Sequence, residues 1–528
     1  MTKILVSDPL SKEGLNILRD SGFPVDEKFD LSEDDLCKII GDYDCLIIRS
    51  GTNVTKKVID AAKKLRVIGR AGVGVDNIDV TAATERGILV MNTPSANILS
   101  AAEHTCALLL SLARNIPFAH DSMHRGEWKR AKYTGVELNG KILGIIGVGR
   151  VGGEVAKRLK AFNMTMVGYD PFLPKDVADS IGVRLTTLEE VLKISDFMTI
   201  HTPLLPDTRN MISTDQFNMM KSNARLANVA RGGIVDEEAL YVALKNKTIA
   251  GAAFDVWCEE PICEANKKLL ELDNIITTPH LGASTVEAQE RVATEVAEAA
   301  VRFLKDGMIT NAINAPRGKL DPETEQYVPL AERMGVLAHQ LNGNAPIDGL
   351  EITYCGDLAS KQTKMLTTYT VMGVLKYIIG PGQANIINAL PIAKGKGITI
   401  KESSTDEAVD YTNIIEVKTI SGKESRTIRG TVFGGQPRLV GIDDYSFEVP
   451  MSGDIVYVRY KDAPGMIGKI GTAIGDANIN VAQMAVGRSE DNALMLLIVD
   501  QDVQPDVLKN IVKVSGAKDA KFIDLVDN

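Results

Sequence analysis

Arg231, Glu260 and His280 are the residues whose types and settings suggest chemistry. Arg231 lies in Asn228-Val229-Ala230-Arg231-Gly232-Gly233 and Glu260 in Asp255-Val256-Trp257-Cys258-Glu259-Glu260-Pro261, while His280 lies in Thr278-Pro279-His280-Leu281-Gly282-Ala283-Ser284-Thr285. Each segment follows a short apolar run that reads as a buried strand. All three would therefore stand at the carboxyl edge of one sheet, where such folds bind ligands. An imidazole ionises near neutrality and can take a hydroxyl proton. A carboxylate on its other ring nitrogen would fix the tautomer and raise its basicity. A guanidinium grips a carboxylate with two prongs and polarises a neighbouring 2-oxo group. Oxidation of a 2-hydroxy acid needs these three parts and a hydride acceptor. A turn arginine, a helix-end acid and a packed histidine are the bland alternatives; their joint occurrence at three strand ends favours the chemical reading.

The acceptor is suggested by a second segment. Ile142-Leu143-Gly144-Ile145-Ile146 runs into Gly147-Val148-Gly149-Arg150-Val151-Gly152-Gly153, a helix is expected from Glu154 to Ala161, and a second apolar strand, Thr165 to Tyr169, ends at Asp170. Gly147, Gly149 and Gly152 form a dinucleotide-binding fingerprint in its proper context. The first allows the tight turn, the second lets backbone approach a pyrophosphate, and the third lets helix pack on strand. The pyrophosphate would sit on the free N–H groups of the helix start. Asp170 can bond both adenosine ribose hydroxyls and repels a 2′-phosphate, and Pro171 and Phe172 bring no arginine, so NAD is favoured over NADP.

These parts sit in a chain of 528 residues, enough for roughly three or four domains. A hydrophobic content of 45% and a charged content of 24% are ordinary for a globular protein. The net charge of −10 and the lack of a basic run argue against nucleic acid or an anionic membrane as partner. An anionic small substrate remains compatible, since a few arginines in a cleft outweigh the global sign. Cysteines 37, 45, 106, 258, 263 and 355 show no C-x-x-C pairing, which suggests neither a metal site nor a disulfide framework. Met1 to Pro9 enters a strand-and-turn pattern directly, and Thr105 to Ala113 is too short to span a bilayer, so a cytoplasmic location is expected.

Residues 1–96 alternate apolar strands (Ile4–Val6, Cys45–Ile48, Arg66–Ile68, Leu89–Met91) with helical patterns and form an α/β unit ahead of the fingerprint. The helical stretch Ile98–Arg114 leads into the fingerprint unit, whose strands continue at Phe197–His201, Leu226–Val229, Ala250–Phe254 and Asn274–Thr277. Such alternation predicts a doubly wound α/β sheet. A helix from Thr285 to Leu304 follows, then a linker-like stretch, Asp306–Pro322. Residues 323–450 mix helices (Tyr327–Leu341, Leu366–Ile378) with β-like segments such as Ile414–Val417 and Gly430–Phe433. After a break at Val449–Gly453, the remainder from Asp454 reads strand, helix, strand, strand, helix, strand.

Arg231-Gly232-Gly233-Ile234-Val235-Asp236-Glu237, Glu260-Pro261 and Pro279–Thr285 resemble the NAD-dependent D-2-hydroxyacid dehydrogenase family. Within it, Arg70-Ala71-Gly72-Val73-Gly74-Val75-Asp76-Asn77 and the tail from Asp454 resemble the long-form branch that oxidises 3-phosphoglycerate. The resemblance implies His280 as acid/base, Glu260 as its partner and Arg231 as carboxylate binder, with backbone N–H groups at Gly72, Val73 and Gly74, beside Arg70, sharing the carboxylate. NAD contacts would fall on Arg150, Val151, Asp170, Thr202, Val229, Ala230, Asp255 and Gly282. It further implies a flavodoxin-like substrate-binding domain (1–96, completed by 283–310), a Rossmann-type NAD-binding domain (97–282), an α+β intervening domain (314–450) and a C-terminal ACT domain (454–528). Asn97 would lie near a hinge. Arg49, a strand-end arginine before Ser50-Gly51-Thr52, is the expected phosphate site, and Trp128-Lys129-Arg130 is a segment that can reach a neighbouring subunit.

Tyr460–Gly468 and Ala477–Asn480 carry the resemblance to the ACT module, a small amino-acid-binding sheet. It implies feedback by L-serine between two such modules, with Asp462 holding the ammonium and Asn480 bonding from across the interface, and hence a homo-oligomer, dimer or tetramer. The intervening domain of such enzymes is linked to anionic effectors, but Asp443-Asp444 stand where a basic turn would be needed, so a structural part is expected. Two other readings stay open: a dehydrogenase for another 2-hydroxy acid, against which the extra two hundred residues count, and a non-catalytic NAD sensor that binds a partner.

Overall fold

The computed structural model describes residues 2–316, 320–343 and 345–525. Residues 317–319 of the expected linker and 526–528 at the end of the expected last domain lie outside them.

The first sheet is parallel throughout, in the order Val25–Glu27, Ile4–Val6, Cys45–Ile48, Val67–Arg70, Leu89–Met91. Ile4–Val6, Cys45–Ile48 and Leu89–Met91 are apolar and buried at every position because helices cover both faces of the sheet. One cover is the long helix Val286–Asp306, which the chain contributes only after leaving the next domain; Val292, Val296, Ala300 and Phe303 pack against Ile4, Val6 and Val67. Val25–Glu27 was not expected. It is an edge strand of mixed, half-exposed residues, so it carries no apolar run.

The second sheet is also parallel, in the order Ile275–Thr277, Gly251–Phe254, Arg225–Asn228, Phe197–Ile200, Ile142–Ile146, Thr165–Tyr169, Arg184–Leu185. The strand order reverses between Ile142–Ile146 and Phe197–Ile200, which opens a crevice beyond their carboxyl ends. The helix after the fingerprint begins at Arg150 and runs to Lys160, four residues earlier than expected. Gly152 and Gly153 therefore belong to its first turn, and at Gly152 only a residue without a side chain fits: a Cβ there would lie 2.2 Å from the Gly147 carbonyl oxygen.

Two helices cross between these units, Ile98–Arg114 on the way out and Val286–Asp306 on the way back. Their starts are joined by a hydrogen bond between Ser100 Oγ and Thr285 Oγ1 of 2.7 Å.

Residues beyond 320 build a six-stranded mixed sheet and a four-stranded antiparallel one. The break at Val449–Gly453 is not a gap in packing. Val449 and Met451 are fully buried, and Ile455, Tyr457, Leu494, Leu496, Ile498 and Ile523 of the last sheet share one core with the helices Val328–Asn342 and Lys364–Ile379. The acids at 443–444 form a hairpin turn in which Asp443 Oδ1 accepts the Thr427 amide, a structural use. Among the described residues no helix is long and apolar enough to cross a membrane.

Candidate active site

Arg231, Glu260 and His280 follow three neighbouring strands of the second sheet, Arg225–Asn228, Gly251–Phe254 and Ile275–Thr277. Parallel strands put their ends on one side, so the segments converge. His280 Nδ1 lies 2.7 Å from Glu260 Oε2, and Glu260 Oε1 accepts the Trp257 amide at 3.1 Å. Burial would raise the Glu260 carboxyl, but the bonds from His280 and the Trp257 amide outweigh it and hold the group below the usual carboxylate range. An ionised Glu260 can only accept, so Nδ1 carries a proton, and in the neutral imidazole Nε2 is then the nitrogen with a lone pair facing the cleft.

The histidine turn is braced from beneath. His280 has φ +55°, a conformation few side chains adopt without support, and its amide donates to the Asp255 carbonyl at 2.8 Å. Asp255, expected against the cofactor, is fully buried and has both oxygens engaged inside the protein. Oδ1 accepts from Leu281 N (2.7 Å), Thr278 Oγ1 (2.6 Å) and His104 Nε2 (3.2 Å), and Oδ2 from Gly282 N (2.8 Å). Burial would raise its carboxyl; these donors win and keep it below the usual value. Asp255 thus acts on the site through the shape of the His280 turn. His104 was not singled out from sequence; a lone imidazole on the apolar helix Ile98–Arg114 was its signal.

The arginine turn is fixed by two contacts. Asn228, fully buried, accepts the Ala230 amide (3.1 Å) and donates to the Arg231 carbonyl (2.9 Å). Gly232 presses on the Glu260 loop so closely that a Cβ there would stand 1.8 Å from the Trp257 carbonyl oxygen. The Arg231 guanidinium crosses to the other domain, where Nε donates to Asp76 Oδ2 at 3.2 Å. Asp76 lies in the Arg70–Asn77 run but was given no part from sequence.

The first domain supplies the opposite wall of a cavity of about 690 Å³. Arg49, Arg70, Gly72, Val73, Gly74, Arg231, Glu260, His280 and the expected hinge residue Asn97 all line it. Arg70 is largely buried; burial, and then the nearby Arg231, push it down to about 10, and its Nε has no partner among the described residues. A buried cation facing a second one is stabilised by an anion between them. Arg49 lines the cavity from a turn fixed by Asp8, whose Oδ2 accepts the Arg49 and Thr52 amides at 2.5 and 3.1 Å. One expectation needs correction: the Gly72 amide already donates to the Arg70 carbonyl (2.9 Å), which leaves only the amides of Val73 and Gly74 for a ligand.

The fingerprint turn fits a dinucleotide. Gly147 has φ +90° and no room for a side chain above His201, whereas a Cβ on Gly149 would meet nothing within 4 Å, which leaves open space at the helix start. Arg150 and Val151 begin that helix, and the buried hydroxyl of Thr202 has no partner among the described residues. Asp170 is held at its strand end by the amides of Val148, Phe172 and Leu173, at 3.0 to 3.1 Å. Val229 lies buried beneath Gly282, within 3.0 Å of where a Cβ on that glycine would be.

The remaining expected residues stand apart. Asp462 Oδ2 pairs with Arg488 Nε at 3.2 Å, and Asn480 bonds Asp500 and Gln501. They flank opposite ends of the helix Met466–Asp476, about 16 Å long at 1.5 Å per residue, so one chain does not bring them together. Trp128, 76% exposed, projects from the surface before the short turn Arg130–Tyr133.

Comparison with known proteins matches residues 106–282 to the D-isomer specific 2-hydroxyacid dehydrogenase NAD binding domain, 323–443 to the D-3-phosphoglycerate dehydrogenase intervening domain, and 455–516 to the ACT domain. The chain is 44% identical to D-3-phosphoglycerate dehydrogenase of Methanocaldococcus jannaschii, over 99% of this chain and 100% of that one. It is 39% identical to the Bacillus subtilis protein of the same name, with the same coverage. Among solved structures, the D-lactate dehydrogenase of Aquifex aeolicus complexed with NAD and lactic acid is similar, at 27% identity and TM-score 0.53, over 60% of this chain and 100% of that one.

Proposed function

The chain belongs to the D-3-phosphoglycerate dehydrogenase family, and from that premise we propose that Arg231, Glu260 and His280 carry its reaction. That reaction is the NAD-dependent oxidation of 3-phospho-D-glycerate at C2 to 3-phosphohydroxypyruvate, which leads into serine synthesis. Bound NAD supplies the acceptor for the C2 hydride. Arg231 and the amides of Val73 and Gly74 hold the substrate carboxylate, and Arg49 and Arg70 draw the phosphate. The lone pair on His280 Nε2 takes the hydroxyl proton as the C2–H bond gives up its electron pair and the C2–O double bond forms. Glu260 stabilises the imidazolium that results.

The observation that carries this reading is the 2.7 Å contact between His280 Nδ1 and Glu260 Oε2 on the wall of a cleft that also holds three arginines. Three cations suit a substrate with a carboxylate and a phosphate. Residues 97–282 form the nucleotide-binding side and residues 1–96 with 283–310 the substrate side, so the two close on the reaction from opposite walls. The intervening domain, 314–450, links this pair to the ACT domain, 454–528. The free thiols at all six cysteines support a reducing, cytoplasmic setting.

The ACT domain binds an amino acid, for which we favour L-serine. Asp462 would take its ammonium and Asn480 of a second copy its carboxylate or hydroxyl, which requires at least a dimer. The test is formation of reduced cofactor from 3-phosphoglycerate, with and without L-serine. His280→Ala is expected to lower turnover about 10²- to 10⁴-fold with NAD affinity retained. Unchanged turnover would remove His280 from this role.

A further inference from the structure

We propose that Glu237 is a positioning residue for the catalytic pair, acting through Glu260. Glu237 opens the helix Glu237–Lys245, whose cap is Asp236; Asp236 Oδ1 accepts the amides of Glu238 and Ala239. An acid in a first helical turn ordinarily faces water, where it favours the helix dipole. Glu237 instead is only 7% exposed and turns back onto the loop that carries Glu260. Its Oε1 accepts the Cys258 amide at 2.6 Å; its Oε2 accepts the Cys258 thiol at 3.1 Å and the Asn266 side-chain amide. Among the described residues no lysine or arginine pairs with it. A nearly buried carboxylate bonded only to neutral donors is costly to keep, and such costs gather where a site must be held in shape.

Consecutive amides explain what is held. Trp257 N–H points to Glu260 Oε1, and Cys258 N–H points to Glu237 Oε1. The peptide unit between them carries the Cys258 N–H and the Trp257 carbonyl and adjoins the Cα next to the Trp257 N–H. Without the acceptor at 237 that unit is free to turn and the Trp257 backbone to shift, which displaces the N–H that holds the Glu260 carboxylate. The carbonyl of that same peptide unit is the one that Gly232 abuts. Glu237 therefore closes a ring through Arg231, Gly232, Trp257, Cys258 and Glu260, and it fixes the spacing between the carboxylate-binding guanidinium and the base. Asn266 ties the ring to the short helix Glu264–Glu271.

This inference rests on the catalytic reading of Glu260, and the test separates the two. Turnover and Michaelis constants are measured for Glu237→Leu, Glu237→Gln, Glu260→Ala and the double variant Glu237→Leu/Glu260→Ala, each checked by thermal melting. Glu237→Leu is expected to lower turnover about a hundredfold, the scale for misplacing a catalytic group by about 1 Å. The Michaelis constant for NAD should stay within about twofold and Glu237→Gln, which keeps an acceptor, should recover most of the rate. The double variant should be no slower than Glu260→Ala alone, because both changes disable one device. If Glu237→Leu does not fold, Asn266→Ala takes its place in the cycle, with a smaller loss that is likewise absent in the Glu260→Ala background. Additive losses, or a Glu237→Leu enzyme at full turnover, overturn the proposal. A fully active Glu260→Ala enzyme overturns the catalytic reading itself.

Discussion

Gly232→Ala adds one methyl group at the point where the arginine and glutamate loops touch. Its Cβ would lie 1.8 Å from the Trp257 carbonyl oxygen, 2.0 Å from its carbon and 2.5 Å from the Cys258 nitrogen. All three atoms are backbone, so no side chain can rotate away. Real Cβ contacts are essentially never closer than 3.0 Å, so the loops must part by at least about 1.2 Å. Arg231 adjoins this contact on one side and Glu260 lies three residues past Trp257 on the other. Misplacement by about 1 Å costs on the order of a hundredfold in rate, about 2.7 kcal/mol of transition-state stabilisation. The overpacking itself should cost about 1–3 kcal/mol of stability, which a domain of this size survives. Initial rates of reduced-cofactor formation from 3-phosphoglycerate, run beside thermal melts and an NAD titration, test the argument. A folded Gly232→Ala enzyme with kcat/KM within about threefold of the parent would refute it, since the loops would then tolerate a shift that the proposed chemistry cannot.

Arg49→Ala should raise the Michaelis constant for 3-phosphoglycerate about ten- to hundredfold, the equivalent of one hydrogen bond to a charged group, and change little for unphosphorylated 2-hydroxy acids; equal effects on both would contradict the phosphate assignment. Asp462→Ala should abolish inhibition by L-serine in the reduced-cofactor assay, and retained inhibition would move the effector site elsewhere. Asp255 has a folded pKa below its unfolded value of about 3.9, so its contribution to stability is complete above that pH and is lost as pH falls through the folded value. Melting temperatures measured from about pH 6 downward should therefore fall on the acid side less steeply in Asp255→Asn than in the parent, and parallel curves would sink the assignment.

The parts of this fold that could be read from sequence are those in which burial is total. Ile4–Val6, Cys45–Ile48 and Leu89–Met91 stand as expected because a strand covered on both faces is apolar at every position. Val25–Glu27 and Arg184–Leu185 carry no such signature because these two edge strands are half solvated, whereas Leu89–Met91, also at an edge, is buried throughout. From sequence the helix after the fingerprint reads as starting only at Glu154, because two glycines in succession look like loop, whereas it starts at Arg150. The two glycines are helical here, and Gly152 is needed for its close approach to Gly147 rather than to break the helix. Past residue 320 the sheets were only partly legible, as their strands alternate faces and pair across long separations, as Gly349–Gly356 does with Thr399–Thr405.

The candidate site divides along the same physical line. Residues that face a ligand could be proposed from type and strand-end position, as with Arg231, Glu260 and His280. Residues that hold those three in place could not, because their task is defined by backbone groups far along the chain. Asp255 reaches the amides of Leu281 and Gly282 across 26 and 27 residues, and Glu237 reaches Cys258 across 21. Sequence shows an acid after a strand and an acid at a helix start, both commonplace. Asp76 adds a further step, since it lies 155 residues from Arg231 and belongs to the opposite domain. The guanidinium that would bind the substrate carboxylate is thus already in contact with both walls of the cleft. Any relative movement of the two domains would change its surroundings, so on the proposed reading substrate binding and closure of the cleft would act on the same arginine.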